Sequence, residues 1–148
     1  MRLQKLDVQA YTIPTDSPEA DGTIAWNSTT MVLVTARAEN GQTGIGYTYA
    51  HRAAVSLIRG KLAEAVQDVP VFQTGQAWQR MVNTVRNLGR PGVASHAISA
   101  VDIALWDLKA KILGVPLFLL LNCHRDSVPI YGSGGFTTYS DERTREQL

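Results

Sequence analysis

An α+β domain, in which a three-stranded antiparallel meander precedes a helical bundle, is the fold this sequence predicts. Three observations predict it: two β-rich runs joined at Asn40-Gly41, a switch to helical periodicity at Ala53, and glycine or proline at each later break. The chain has 148 residues, 45% hydrophobic and 18% charged, which is enough for one ordinary domain with a real core.

Over residues 3–13, Leu3, Leu6, Val8, Ala10 and Tyr11 stand among polar neighbours in a partly alternating pattern. This predicts a strand with one buried face, ending at Pro14. Residues 15–23 are dense in turn formers and acids and lack periodicity, so an exposed loop is expected there. A second strand over 29–39 carries Met31, Val32, Leu33 and Val34. Asn40-Gly41 then predicts a type I′ hairpin turn, with positive φ at both central positions, leading into a third strand at Thr43–Tyr49.

From Ala53 onward, Ala54, Ile58, Leu62, Ala65 and Val69 share one helical stripe that Pro70 stops. A second helix over 75–88 uses Trp78, Met81, Val82 and Val85, and Gly89-Arg90-Pro91-Gly92 breaks it. A third over 94–113 buries Ile98, Val101, Leu105, Leu108 and Ile112. Gly114 fits the left-handed position that closes such a helix, and Pro116 prevents its continuation. Ser127-Val128-Pro129-Ile130-Tyr131 reads as a further strand, Gly132 to Gly135 as a turn, and Ser140 as the N-cap of a helix with Asp141 and Glu142 in its first turn. Strand, glycine turn and helix onset make the opening of a β/α unit with no following strand, as though the chain were cut.

Charge and composition narrow the function. Fourteen Lys and Arg oppose thirteen Asp and Glu, for a net charge of +1, and the basic residues are scattered singly. No nucleic-acid partner is expected. The longest apolar run, Val115 to Leu121, contains Pro116 and is far short of the roughly 20 residues of a membrane helix. No membrane partner is expected, and with a single cysteine, Cys123, and no continuous apolar segment at the N-terminus, the expected location is cytoplasmic. His51, His96 and His124 are too widely spaced to suggest a metal site. Cys123 beside His124 lacks an orienting third group for nucleophilic catalysis, and Gly132-Ser133-Gly134-Gly135 lacks the Lys-Ser/Thr ending of a phosphate loop.

The run Ala97-Ile98-Ser99-Ala100-Val101-Asp102-Ile103-Ala104-Leu105-Trp106-Asp107-Leu108-Lys109-Ala110-Lys111, followed by Gly114-Val115-Pro116-Leu117, carries the most specific pattern in the chain. It resembles the signature helix of the mandelate racemase/muconate lactonizing enzymes of the enolase superfamily. Ala97, Ala100, Ala104 and Ala110 allow close helix packing, and Asp107 and Lys111, four apart, form an exposed pair worth roughly a few tenths of a kcal/mol. Asn122 stands where the family usually has glycine, and asparagine tolerates the left-handed conformation better than most residues.

The resemblance implies a capping domain over residues 1–125, like the enolase N-terminal domain. Residues 126–148 would then be the first strand and helix start of a truncated (β/α) barrel. It implies a parent enzyme that uses Mg²⁺ to stabilise the enediolate formed by α-proton abstraction from a small carboxylate or acid sugar, leading to dehydration. Racemisation, epimerisation or cycloisomerisation are the alternatives, as is a non-catalytic remnant of a truncated gene. None of the thirteen acids lies on a series of parallel strand ends, and a Lys-x-Lys base motif is absent, so no Mg²⁺ site and no catalytic residue is expected in this chain. A homo-oligomer is expected. The cap loops of the family correspond by position to residues 15–27 and to the segment of Tyr47, Thr48, Tyr49 and His51. Trp26 and Tyr49 are the aromatic candidates for substrate contact, with core packing as the alternative for each. Ser133 corresponds to a family serine, two residues after the matching tyrosine, that contacts the substrate carboxylate; its alternative is an ordinary turn serine.

Overall fold

The computed structural model describes residues 1–132 and 134–147. They form two compact units, one made of Met1–Tyr11 and Thr30–Cys123, the other of Thr12–Thr29 with the residues from His124 onward. Strands β1 (Leu3–Ala20), β2 (Ala25–Ala38) and β3 (Thr43–Tyr49) lie in the order β1-β2-β3. The helices are α1 (Ala53–Leu57), a π-helical turn (Ile58–Leu62), α2 (Ala63–Val66), α3 (Thr74–Thr84), α4 (Val93–Leu113), α5 (Leu117–Leu120) and α6 (Asp141–Gln147). The predicted meander followed by helices is the observed architecture of the first unit.

One face of the sheet makes the core. Val32, Val34, Ala36 and Ala38 alternate along β2 and are fully buried. The antiparallel register sets Val34 opposite Gly46 and Ala36 opposite Gly44, so both glycines share that face. Helix α4 rests directly on them. A Cβ added at Gly44 would lie 2.2 Å from the Ala104 carbonyl oxygen and 2.3 Å from the Leu108 nitrogen. One added at Gly46 would lie 2.2 Å from the Ala100 oxygen. The small residues Ala100 and Ala104 meet the two glycines, and helix and strand backbones come into direct contact there.

The stripe Ala54, Ile58, Leu62 and Val66 is buried along the first helical stretch. Each i+4 step overshoots a full α-helical turn by about 40°, so four such residues drift around a regular helix. The wider π turn at Ile58–Leu62 takes back part of that drift and keeps the stripe on the core. The helix ends at Val66, before the expected stop at Pro70. Asp68 takes a positive φ of 59°, and the reversal lays residues 69–71 along the start of β1, with Leu3 N–H donating to the Val69 carbonyl and Val71 N–H to that of Met1. Ala77, Met81 and Val85 anchor α3, whereas Trp78 and Val82 are only partly buried. Gly114 is left-handed, and Val115 N–H donates to the Ala110 carbonyl, the six-to-one bond of a Schellman cap. Asn122 has φ 60°, the conformation expected where the family has glycine.

Three expectations are corrected. The Asn40-Gly41 turn is not type I′, because only Gly41 has positive φ, at 84°. Gly41 N–H donates to the Ala38 carbonyl and Ala38 N–H to that of Gln42, which makes a three-residue loop with a left-handed glycine at its end. Residues 15–20 are strand rather than loop, and only residues 21–24 form the turn: in the second unit β1 runs on to Ala20 and β2 begins at Ala25. Pro14 and Pro18 fit because they fall on the same side of an edge strand, where no ladder donor is needed. On that side Thr137 N–H donates to the Ala20 carbonyl and the Thr138 hydroxyl to that of Pro18. The turn itself is held by Asp21, whose carboxylate accepts from the Thr23 and Ile24 amides and the Thr23 hydroxyl, holding its pKa below the usual value. Finally, residues 127–131 form no strand, with Ile130 89% and Tyr131 93% exposed. A parallel strand needs neighbours to take its amides and carbonyls. Helix α6 does form, and Arg143 N–H donates to the Ser140 hydroxyl as the predicted N-cap requires.

Where α3 and α4 meet, Trp78, Arg90, Ser95, Ser99 and Asp102 line a cleft of about 180 Å³. The Arg90 guanidinium stacks 5.1 Å from the Trp78 ring centre. Partial burial pushes the Asp102 carboxyl above its ordinary value of 3.8.

Two predictions follow from this packing. Gly46→Ala should lower unfolding free energy by about 3 kcal/mol or more, because the obstruction is backbone and no rotamer relieves it. Gly75→Ala, at an open helical site, should raise stability by about 0.5 kcal/mol; equal effects in denaturant melts would contradict the contact. For Asp102, the raised pKa means that the protonated form favours folding below the unfolded value and that this contribution disappears as pH rises through the folded value. Asp102→Asn should therefore raise the unfolding midpoint at neutral pH, with the gain shrinking in acid. An unchanged midpoint at both pH values would remove desolvation as the cause.

Candidate functional site

The signature helix is positioned by its contact with β3. Asp107 Oδ2 accepts from the Ile45 amide at 2.7 Å and from Lys111 Nζ at 2.7 Å. In an antiparallel strand a residue's N–H and C=O point to the same side, and Gly44 and Gly46 pair with β2, so the Ile45 amide points to the free edge. Asp107 is thus more than one half of the surface ion pair expected from the sequence. It is partly buried and ties α4 to the edge of the sheet. On the same helix Lys109 Nζ lies 4.7 Å from the Trp106 ring centre.

The residues that alternate with the glycines face away from the helices. Ile45, Tyr47 and Tyr49 are all exposed, Tyr49 by 60%, and the two tyrosine rings meet edge to face at 6.0 Å. Tyr49 is therefore not a core residue of the first unit. Beyond it His51 opens α1: its Nδ1 accepts from the Ala53 amide at 3.1 Å, so a neutral ring carries its proton on Nε2. His51, Arg52, Ser56 and Arg59 line an open cleft of about 390 Å³ with Ala10 and Val55. No carboxylate lines it, and Arg59 also donates to the Val8 carbonyl at 2.7 Å. The sequence reading singled out His51 but not Arg52 or Arg59, whose seven-residue spacing puts them on one helical face.

Trp26 belongs to the second unit. Its Nε1 donates to Glu19 at 2.7 Å, and its ring meets Phe136 edge to face at 5.5 Å. Phe136 in turn meets Tyr139 at 5.3 Å, and the Arg143 guanidinium stacks on Tyr139 at 4.8 Å. The sequence reading missed Phe136, Tyr139 and Arg143; the only available signal was their three- and four-residue spacing around the start of α6. Ser133, the third candidate, lies outside the described residues.

Among the described residues no three His, Cys, Asp or Glu side chains come together as a metal site. His96 Nδ1 lies 3.3 Å from the Thr48 hydroxyl, Asp107 is taken up by Ile45 and Lys111, and Asp21 by its own turn. Mg²⁺ takes near-octahedral oxygen ligands, and this donor set does not fit it.

Residues 8–122 match the family model described as mandelate racemase / muconate lactonizing enzyme, N-terminal domain. L-talarate/galactarate dehydratase of Salmonella typhimurium is 38% identical over 115 residues, 72% of this chain and 28% of that protein. The 3,6-anhydro-alpha-L-galactonate cycloisomerase of Streptomyces coelicolor is 32% identical over 137 residues, 89% of this chain and 38% of that protein. A mandelate racemase/muconate lactonizing enzyme-like protein from Rubrobacter xylanophilus has a similar structure, with a TM-score of 0.96 and 49% identity over 99% of this chain and 41% of that one. L-talarate dehydratase from Polaromonas sp. JS666, solved with Mg and L-glucarate, has a TM-score of 0.85 and 27% identity over 99% of this chain and 42% of that one. The chain thus spans well under half the length of these relatives. With the signature helix, its cap and the meander beneath it all matched, the chain belongs to the mandelate racemase/muconate lactonizing enzyme family and comprises its N-terminal domain.

Proposed function

We propose that this chain is the substrate-capping part of a Mg²⁺-dependent enzyme that dehydrates an acid sugar by α-proton abstraction, and that it has no turnover by itself. Residues 1–125 act as the cap, and residues 126–148 correspond to the opening of the barrel domain that holds the base and the metal. The observation that carries this reading is an apolar surface at the end of α4 and on α5. Leu113, Val115, Phe118, Leu119 and Leu121 are all exposed, and α5 has no buried residue. Clustered apolar side chains of this kind mark a surface that another body covers.

The role of these residues is then to bind, orient and exclude water. Exposed Tyr49 and the basic cleft of His51, Arg52 and Arg59 offer an aromatic face and cations to a carboxylate or polyol. Trp26, held by Glu19 and Phe136, supports the β1–β2 hairpin as a lid element. Ser133 remains the candidate for the substrate carboxylate. Dehydration is favoured by the talarate/galactarate and talarate dehydratases among the relatives. The cycloisomerase relative, matched over 89% of this chain, supports cycloisomerisation as the second reading.

Co-expression with the part of the Salmonella typhimurium L-talarate/galactarate dehydratase that this chain does not match tests the proposal. The two pieces should copurify and, with Mg²⁺, dehydrate galactarate or talarate, while neither piece does so alone. Phe118→Asp should reduce copurification at least about tenfold by placing a charge in an apolar contact. Turnover by this chain alone, or association indifferent to Phe118→Asp, would sink the reading.

A further inference from the structure

The hairpin tip between β2 and β3 carries chemistry that the capping role does not use. Of the five asparagines, Asn27, Asn40, Asn83, Asn87 and Asn122, only Asn40 precedes glycine. Asn40 and Gly41 are both exposed. Glycine places no side chain in the way of its own amide nitrogen, and a Cβ at Gly41 would meet nothing within 4 Å, so the tip is open to solvent. Three hydrogen bonds of Asn40 and Gly41 nevertheless hold it, besides the Ala38 N–H bond to the Gln42 carbonyl. The Gly41 amide donates to the Ala38 carbonyl at 2.9 Å. Asn40 Oδ1 accepts from the Gln42 amide at 3.1 Å, and Asn40 Nδ2 donates to Gln42 Oε1 at 2.6 Å.

We infer that Asn40 is a spontaneous deamidation site whose rate is gated by opening of the β2–β3 hairpin. The Gly41 nitrogen attacks Asn40 Cγ, forming the N–Cγ bond of a five-membered succinimide. The Cγ–Nδ2 bond breaks, and ammonia leaves with the proton that the Gly41 nitrogen gives up. Water then adds to one imide carbonyl and opens the ring to aspartate, with the original linkage, or to isoaspartate, with the chain routed through Cβ and Cγ. In the folded hairpin the attacking nitrogen is committed to Ala38 and the side-chain amide is clamped at both ends by Gln42. The reaction therefore proceeds through a local opening that breaks these bonds. The isoaspartyl product lengthens the backbone of a three-residue loop by one atom and adds a negative charge beside Glu39, whose carboxylate accepts from the Arg2 amide at 2.9 Å. The product thus weakens the turn whose opening produced it.

The test is to incubate the full chain at mildly alkaline pH, native and in denaturant, and to follow aspartate and isoaspartate at each asparagine by peptide mapping and mass spectrometry. Asn40 should be the first of the five to convert. Its native rate should be about tenfold or more below its denatured rate, as expected for losing several hydrogen bonds before attack. Gln42→Ala, which removes the Asn40 Nδ2 bond to Gln42 Oε1 and the Gln42 Nε2 bond to the Lys111 carbonyl but keeps the Gln42 amide bond to Asn40 Oδ1, should speed the native reaction at Asn40 severalfold and leave the denatured rate unchanged. Equal native and denatured rates, or a native rate indifferent to Gln42→Ala in a chain with an unaltered melt, would overturn the gating. Faster conversion at another asparagine would overturn the choice of site.

Discussion

The contact of α4 with β3 is the constraint on which the first unit depends. Two glycines on the strand and two alanines on the helix bring backbone against backbone, and at Gly44 and Gly46 there is no room for even a methyl group. Such an approach brings the Asp107 carboxylate within reach of the strand's outward-pointing amide. Burial on one side and a charge-assisted hydrogen bond on the other then set the register between helix and sheet. The long side chains of the core, Ile58, Leu62, Met81 and Leu108, fill the space that this close approach leaves around it.

The second unit solves a different problem with a different device. The hairpin of β1 and β2 has little apolar surface to bury, so it depends on polar anchoring. Asp21 closes the turn, Thr137 and Thr138 reach the outer carbonyls of β1, and the two prolines each remove one backbone donor from that side. Aromatic edges from Trp26, Phe136 and Tyr139 supply its small apolar centre. Elements held this way open at lower cost than a packed core, which suits a segment proposed to act as a lid.

How far the sequence was readable follows the same division. Helix α4, its glycine cap and the strand Thr43–Tyr49 were legible because strong periodicity and local stop signals coincide there. Asn122 was legible as a left-handed position because the conformation is a local property of its residue type. Residues 15–20 differ from the expected loop because turn formers outnumber apolar residues in a strand whose partners are mostly polar. The Asn40 turn was misread because the dipeptide limits where φ turns positive without counting the loop residues; pairing of Ala38 with Gln42 decides that. The strand expected at 127–131 failed because strand formation is never local: its hydrogen bonds belong to neighbours.

For the candidate site the gap is wider. Sequence pattern picked out Trp26, Tyr49 and Ser133 one at a time, without the cations beside His51 or the aromatic partners of Trp26. By itself the sequence determined the α+β class, the glycine cap that ends α4, the family likeness and the absence of a local Lys-x-Lys base motif, since each depends on residue types at short spacings. Only the tertiary structure decided that Asp107 binds a strand edge, that Tyr49 faces solvent and that Arg52 and Arg59 share a cleft. Those facts depend on which distant backbones approach one another, and here two missing side chains, at Gly44 and Gly46, permit the approach.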